Sequence, residues 1–438
     1  MKRISEGRTL SSRISEALAL SLALVLMLSL LSCGSGSSGN NSSSNTTTTA
    51  GSSLTSSQAS RIQAMVTNRT NNPNYENVPG MVMGIKKDNN TAWYGTAGYS
   101  DNSTLTPIRY TDKFRIGSIS KTFTATVVLQ LAQEGKLSLS DNVTKWLPTV
   151  ASALTNYNLG SITIKNLLNH TSGIHTYTDF TDSIFIAAYS DPYRIFTSSE
   201  VMSVINSHSP DFTVGTNWEY SNSNYYLLGL IIEAASGDTY ENQVQKRILT
   251  PLGMTSTEVP FAGNPYISGS YAHGYMYNSL TGKMIERTVS DPSYPFASGS
   301  IVSNIPDLLT WMQALYSGTL LNSTYHALET TYVNLNDYGM GNYYYGLGIM
   351  VEGDYSIIGH RGQIFAYDCS IQHYITRDYD LAVCVNRSLF DEDVVNYSNT
   401  NALILYDTLT VLASDNTTKP ETKTPVKRSN VRTPLTEY

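Results

Sequence analysis

Charge is scarce in this chain: charged residues make up 14% of 438, with 28 Lys and Arg against 35 Asp and Glu. The net charge of −7 and the lack of a basic stripe in the central region remove the electrostatic footprint that nucleic-acid binding needs. Cysteine is also rare, with three residues. No Cys/His cluster has metal-ligand spacing; His170 and His175 are five apart, not the i, i+4 pair of a helical metal site. Neither a metal nor a cofactor is therefore expected. No G-x-S-x-G string falls in the central region, which argues against the nucleophile elbow of an α/β-hydrolase. There is no internal repeat, and the long apolar run at about 17–31 is too short for a comfortable membrane span.

That run has a different reading. Lys2, Arg3, Arg8 and Arg13 precede it and Leu30-Leu31-Ser32-Cys33 ends it, the pattern of a secretory signal. The cysteine after a small residue resembles a lipobox, so cleavage before Cys33 and lipid attachment to its sulfur are expected. Loss of residues 1–32 removes four basic and two acidic side chains and takes the net charge from −7 to −9. Residues 33–57 are nearly all Ser, Gly, Asn and Thr after the cysteine, a composition that buries no apolar surface and behaves as a flexible tether. At the other end, residues 413–438 are polar, with Pro420, Pro425 and Pro434 among scattered bases, and read as a disordered tail. An exported chain tethered to a membrane by lipid is the expectation, with its domain in the periplasm or on the cell surface.

Between these ends, residues 58–412 have the composition of one large folded unit. Gly80–Lys86 and Ala92–Tyr99 read as a β-hairpin around Lys87-Asp88-Asn89-Asn90. Strands return at Tyr345–Glu352, Tyr355–Ile358, Ile364–Tyr374 and Leu381–Val385, and residues of about 150–290 read as mixed helices and loops. Strands at both ends with helices between them predict an α+β fold: one antiparallel sheet formed by the two ends, flanked by helices and interrupted by a mostly helical insertion. Cys369 and Cys384 fall on two of the late strands. Either a cross-strand disulfide or two buried thiols is compatible with the pattern.

The stretch Phe114-Arg-Ile-Gly-Ser-Ile-Ser-Lys-Thr-Phe123 carries the chemistry. Gly117 provides a turn, and Phe123, Val127 and Leu131 recur at i, i+4, i+8, which predicts a helix starting at or just after Ser118 and stopping near Gly135. Ser118 and Lys121, three apart, would lie on one helical face about 5–6 Å apart at Cβ. A serine at a helix start has free N–H groups near its oxygen, and a buried lysine one turn on can take its proton.

Further strings follow in order: Leu167-Leu-Asn-His-Thr-Ser-Gly-Ile174, Tyr220-Ser-Asn222 within Val214–Leu230, Pro251-Leu-Gly-Met254, Ser298-Gly-Ser-Ile-Val-Ser303 and His360-Arg-Gly362. Tyr-x-Asn also occurs at Tyr75, Tyr240, Tyr332 and Tyr397, but only Tyr220 sits in the matching context. With these strings the chain resembles the serine β-lactamase and penicillin-binding superfamily, most of all the branch of class C β-lactamases, D-alanyl-D-alanine carboxypeptidases and related esterases.

The resemblance implies that Ser118 forms an acyl-enzyme and that Lys121 and Tyr220 share proton transfer, the ammonium lowering the phenol's pKa. It also implies substrate contacts from Asn222, His360 and Gly362, the glycine leaving room for substrate, and an oxyanion hole made by the backbone N–H groups of Ser118 and Gln363. His170 is read as a structural, hydrogen-bonded group. Arg361 stands where a hydroxyl residue is common; it either grips a substrate carboxylate or points away. Ala366 replaces a frequent glycine.

The expected function is an envelope-anchored serine hydrolase acting on a D-alanyl peptide, a β-lactam or a small ester, with peptidase- or esterase-like activity favoured over a dedicated β-lactamase. The alternatives are a non-catalytic protein of this fold that binds a cell-wall peptide, and a surface module using the tyrosine-rich segment 338–345 and the tail.

Overall fold

The computed structural model describes residues 53–71, 78–88, 90–278, 283–339, 341–353, 356–388 and 400–414. The signal, Cys33 and residues 415–438 lie outside the described residues; Ala413 and Ser414, expected to open the disordered tail, instead close the C-terminal helix.

Nine antiparallel strands form the main sheet. They are β1 (Gly80–Lys87), β2 (Trp93–Asp101), β3 (Thr106–Pro107), β4 (Val333–Asn334), β5 (Tyr343–Tyr345), β6 (Met350–Glu352), β7 (Ile357–Ile364), β8 (Tyr367–Tyr374) and β9 (Tyr379–Val385). Their spatial order is β3-β2-β1-β9-β8-β7-β6-β5-β4. The two ends of the chain meet where β1 pairs with β9, Val82 opposite Cys384. The expected sheet built from both ends is therefore the observed one.

Alternation sorts side chains to the two faces. On β1, Met81, Met83 and Ile85 enter a core with Leu381, Val383 and Val385 of β9. On the opposite face, Val82, Ala382 and Cys384 join the larger core beneath the helical layer. Both faces are covered, so all seven residues of β9 are buried and its sequence shows no polar alternation. The first face is closed by α1 (Ser56–Asn71) and by the C-terminal helix Thr400–Ser414, which Arg69 ties together through Asp407 at 3.1 Å.

Neither terminal helix was expected from the sequence. In α1 the apolar stripe is only Ala59, Ile62 and Val66 among polar residues, too narrow to stand out. The fold also begins earlier than the expected boundary at 58. Ser53 and Leu54 are buried, and Ser53 N donates to the Thr91 carbonyl at 3.2 Å.

Under the other face lies α2 (Ser120–Gln133), the predicted serine helix, ending before Gly135 at φ +71°. It is not one-faced: every residue from Ser120 to Ala132 is buried. A helix enclosed on all sides is the axis of its layer, not its rim. α3 (Asn222–Ser236) crosses it and ends at Gly237. α4 (Ile305–Ser317), capped by Asn304 accepting from Asp307 N at 3.0 Å, lies against β1. Gly84 lets it approach so closely that a Cβ there would stand 2.4 Å from Ile305.

Two expected strands are each broken in two. Tyr345–Glu352 is interrupted around Gly348, at φ +84°, and Ile364–Tyr374 turns at Phe365-Ala366, with Ala366 at φ +66°. Alanine thus occupies a left-handed position that glycine would fill without steric cost. Cys369 and Cys384 face each other directly across β8 and β9, buried and reduced. The two-thiol alternative is the one present.

Candidate active site

Ser118 sits in a tight 3₁₀ turn, Gly117–Ile119, that runs straight into α2, so Lys121 rises one turn beyond it. The turn lies against β7. Gly117 is at φ +50°, and a Cβ there would stand 2.8–2.9 Å from the backbone of Gln363. From the other side, a Cβ on Gly362 would stand 1.9 Å from the Ile116 carbonyl oxygen and 2.9 Å from Ile119 N. The two glycines let the serine turn and the strand touch backbone to backbone, bringing the segments that carry the N–H groups of Ser118 and Gln363 together. This corrects the expected role of Gly362: its missing side chain makes room for the nucleophile's own turn, not for substrate.

Lys121 is fully buried. Its Nζ is 2.7 Å from Asn222 Oδ1, 2.7 Å from the Ser298 carbonyl oxygen and 3.0 Å from Ser118 Oγ. Among the described residues no carboxylate pairs with it, and burial pushes its pKa well below the ordinary lysine value. The count of hydrogens is informative. Both carbonyl-type oxygens only accept, so a neutral amine spends its two N–H groups on them and directs its lone pair at the Ser118 hydroxyl. That is the arrangement a general base needs.

Tyr220 stands beside the pair, its ring 4.9 Å from Lys121 Nζ. Burial raises its phenol above the ordinary tyrosine range, only partly offset by a hydrogen bond with Ser118. Burial thus works against the expected effect of an ammonium lowering the phenol: it favours the neutral amine on Lys121 and the protonated phenol on Tyr220. Tyr220 is thereby suited to give a proton, and Lys121 to take one.

Asn222 opens α3 and is held at both ends of its amide: Oδ1 accepts from Lys121, and Nδ2 donates to Thr178 Oγ1 at 2.6 Å. Its visible work is to orient the lysine, with one N–H left for a substrate. His360 is buried on β7, and burial lowers its pKa to about 3. Its Nδ1 lies 2.5 Å from the Arg361 carbonyl, which only accepts, so Nδ1 carries the proton and Nε2 accepts from Tyr345 O–H at 3.1 Å. His360 is a neutral member of the cleft wall and supplies no cation.

Arg361 has the opposite pleat parity. It shares a face with Ile357, in the terminal-helix core, whereas His360 and Gly362 share one with Ile358 and Ile364. Its guanidinium binds both oxygens of buried Glu352, at 2.7 and 2.9 Å. Of the two expected roles, the side chain that points away is the one present.

His170 is buried at φ +61°, and Nδ1 accepts from Ser221 N and from Asn224 Nδ2 at 3.2 and 3.1 Å. Burial holds it neutral, in agreement with the structural reading. Its ring is wedged among Trp218, Tyr220, Tyr225 and Tyr345.

Three contributors escaped the sequence reading. Ser298 acts through its carbonyl, which no side-chain pattern reveals, although the Ser298-Gly-Ser string marked the segment. Thr178 was hidden in a loop. Tyr345 belonged to a segment read as exposed, yet it is fully buried against His360, which removes it from any surface module. His175, Asp182 and His208 also converge, their ligand atoms all within 4.8 Å of one another. Linear spacing concealed that cluster, so the sequence-level statement that no metal-type grouping exists does not hold in three dimensions.

Comparison with known proteins now bears on the same residues. The Beta-lactamase family model matches residues 63–404. The chain belongs to that family. A D-stereospecific amidohydrolase from Streptomyces shares 32% identity at a TM-score of 0.66, over 76% of this chain and 97% of that one. A D-amino acid amidase from Ochrobactrum anthropi, at 22% identity and a TM-score of 0.67 over 82% of this chain and 99% of its own, shares the fold. Penicillin-binding protein 4* of Bacillus subtilis is 29% identical over 57% of this chain and 56% of its own length. Protein flp of Staphylococcus aureus is 28% identical over 74% of this chain and 63% of its own. The chain thus spans between about half and two thirds of the length of these curated relatives.

The glycine contact makes a direct prediction. Gly362→Ala must displace the Ser118 turn, so acylation of Ser118 by a fluorophosphonate should slow by about 100-fold or more and stability should fall by about 1–3 kcal/mol in urea unfolding. Acylation within twofold of wild type would show that the turn does not depend on this contact.

Proposed function

We propose that this chain is a serine hydrolase that cleaves the amide or ester of a D-configured amino acid whose leaving group carries no carboxylate. Ser118 Oγ attacks the acyl carbon while its proton passes to neutral Lys121, and the developing oxyanion lies at the N–H groups of Ser118 and Gln363. A C–O bond forms. As the C–N or C–O bond to the leaving group breaks, the phenol of Tyr220 gives its proton to the departing atom and is reprotonated from Lys121. Water, deprotonated by the same lysine, then hydrolyses the acyl-enzyme and restores Ser118.

The observation that carries the substrate class is the pairing of Arg361 with Glu352. A β-lactam or a D-alanyl-D-alanine terminus presents a carboxylate, and the third-motif side chain that could grip it is committed elsewhere, while His360 is neutral. The likeness to a D-stereospecific amidohydrolase supports the same class. The expected preference for peptidase- or esterase-like activity over a dedicated β-lactamase is thereby narrowed to amides and esters, and a D-alanyl-D-alanine terminus is set aside. A non-catalytic binder of the same fold would have no use for the lysine lone pair aimed at a serine.

The same reading includes the envelope anchor. Cys33 is the lipidated residue, and the tether runs from it to Ser53, where the fold begins.

Two experiments test these statements. Steady-state assays of the purified chain on D-phenylalanine amide, L-phenylalanine amide, D-alanyl-D-alanine and benzylpenicillin, with Ser118→Ala alongside, should give at least tenfold higher kcat/KM for the D-amide than for any other and no turnover by the variant. Faster turnover of either carboxylate-bearing substrate would contradict the assignment. For the anchor, Cys33→Ala should abolish lipid labelling and release the chain from membranes; a variant that stays membrane-bound would refute it.

A further inference from the structure

We propose that His175, His208 and Asp182 form a binding site for a zinc-like divalent cation, independent of the reaction assigned to Ser118. The three come from separate places: the loop after the His170 turn, the residue that caps helix Ser183–Ser190, and the segment after helix Ser198–Asn206. Asp182 occupies an N-cap position yet makes no side-chain cap hydrogen bond. Its carboxylate is turned to the histidines instead, with His208 Nε2 2.8 Å from Oδ1 and His175 Nε2 3.7 Å from Oδ2.

The last contact carries the inference. Asp182 is only 6% exposed, and both its Oδ2 and the facing His175 Nε2 are buried without a hydrogen-bond partner. On the far side of the ring, His175 Nδ1 lies 3.1 Å from Asp211 Oδ1. Asp211 thus engages Nδ1, and Nε2 on the other side faces the carboxylate oxygen of Asp182. The two buried polar atoms thus face each other across 3.7 Å, too far for a hydrogen bond whether or not Nε2 carries a proton, and costly to leave dry. A cation between them, with bonds of about 2.0–2.1 Å to each, resolves the conflict.

The rest of the surroundings fit. The imidazoles of His175 and His208 stack at 3.9 Å with planes 21° apart, so their ligating edges can turn to one ion. Carboxylates outnumber them, since Asp179, Asp211 and Glu219 add their fields to that of Asp182. Two imidazoles and a carboxylate suit zinc, cobalt or nickel better than magnesium or calcium. Asp211 on the ligand's other nitrogen is the usual outer partner of a metal-bound histidine. Partly exposed His208 gives the ion a way in and leaves a coordination position for water.

The site would brace the loop that orients Asn222. The His175 carbonyl accepts from Ser223 Oγ at 2.5 Å, and Thr176 Oγ1 and Thr178 Oγ1 accept from Asn222 N and Nδ2 at 3.1 and 2.6 Å. Binding would tie this loop to the 208–211 segment.

The test is titration of the EDTA-treated, folded chain with Zn²⁺ by calorimetry and with Co²⁺ by visible absorption, on wild type, Asp182→Asn and His208→Gln. The expected result is one equivalent bound by wild type, Co²⁺ bands of nitrogen and oxygen ligation, and affinity at least tenfold weaker in both variants. No saturable uptake by wild type, or a loss below tenfold in either folded variant, overturns the proposal; in that case a proton shared with His175 satisfies the cluster. Should a variant fail to fold, zinc-edge X-ray absorption on wild type decides. Two imidazoles at about 2.0–2.1 Å are expected, and sulfur ligation or any other imidazole count overturns the site.

Discussion

A lysine amine buried with no carboxylate partner among the described residues is the constraint on which the site depends. Leaving Lys121 charged in this place would cost several kcal/mol, and the fold supplies dipoles, not countercharges. Its Nζ meets the Asn222 amide oxygen, the Ser298 carbonyl and the Ser118 hydroxyl; in the neutral form the first two take its hydrogens and the third meets its lone pair. Each partner is set by a different layer: the 3₁₀ turn on β7, the start of α3, and the segment leading to α4. A charged lysine could use the same three oxygens but could not serve as a base, so the burial that favours the neutral amine also favours reactivity.

The rigidity of that arrangement traces back to the sheet. β7 is paired along its whole length with β8, which is paired with β9, and β9 joins the N-terminal hairpin through β1. Gly117 and Gly362 then transmit the position of the sheet to the nucleophile through backbone contact, without a side chain between them. Helices on both faces keep the sheet dry, so the cleft wall formed by His360, Tyr345 and His170 is held in a neutral, hydrogen-bonded state.

Much of this was legible in the sequence. Ser118, Lys121, Tyr220, Asn222 and His360 converge as their strings implied, because each string carries both the chemistry and the turn or helix start that aims it. The helix end at Gly135 was readable for the same local reason. What stayed hidden depends on contacts distant in sequence. A carbonyl such as that of Ser298 has no residue type, the parity of Arg361 follows only once the register of β7 is known, and Gly362 reads as open space until the opposite backbone is in place. His175, Asp182 and His208 meet through loops with no common period. The helices at both termini escaped because their stripes are narrow and find partners only in each other and the sheet.

The central claim is that Lys121 is neutral and poised as the base for Ser118, and the rate of Ser118 acylation as a function of pH tests it most directly. Reaction of the purified chain with a fluorophosphonate, followed by intact mass between pH 5 and 11, should rise to a plateau reached well below the ordinary lysine value of 10.5, because the amine is already deprotonated there. A rate that keeps rising to that value would mean that Lys121 is an ordinary charged lysine, and the proton-transfer scheme built on it would fall.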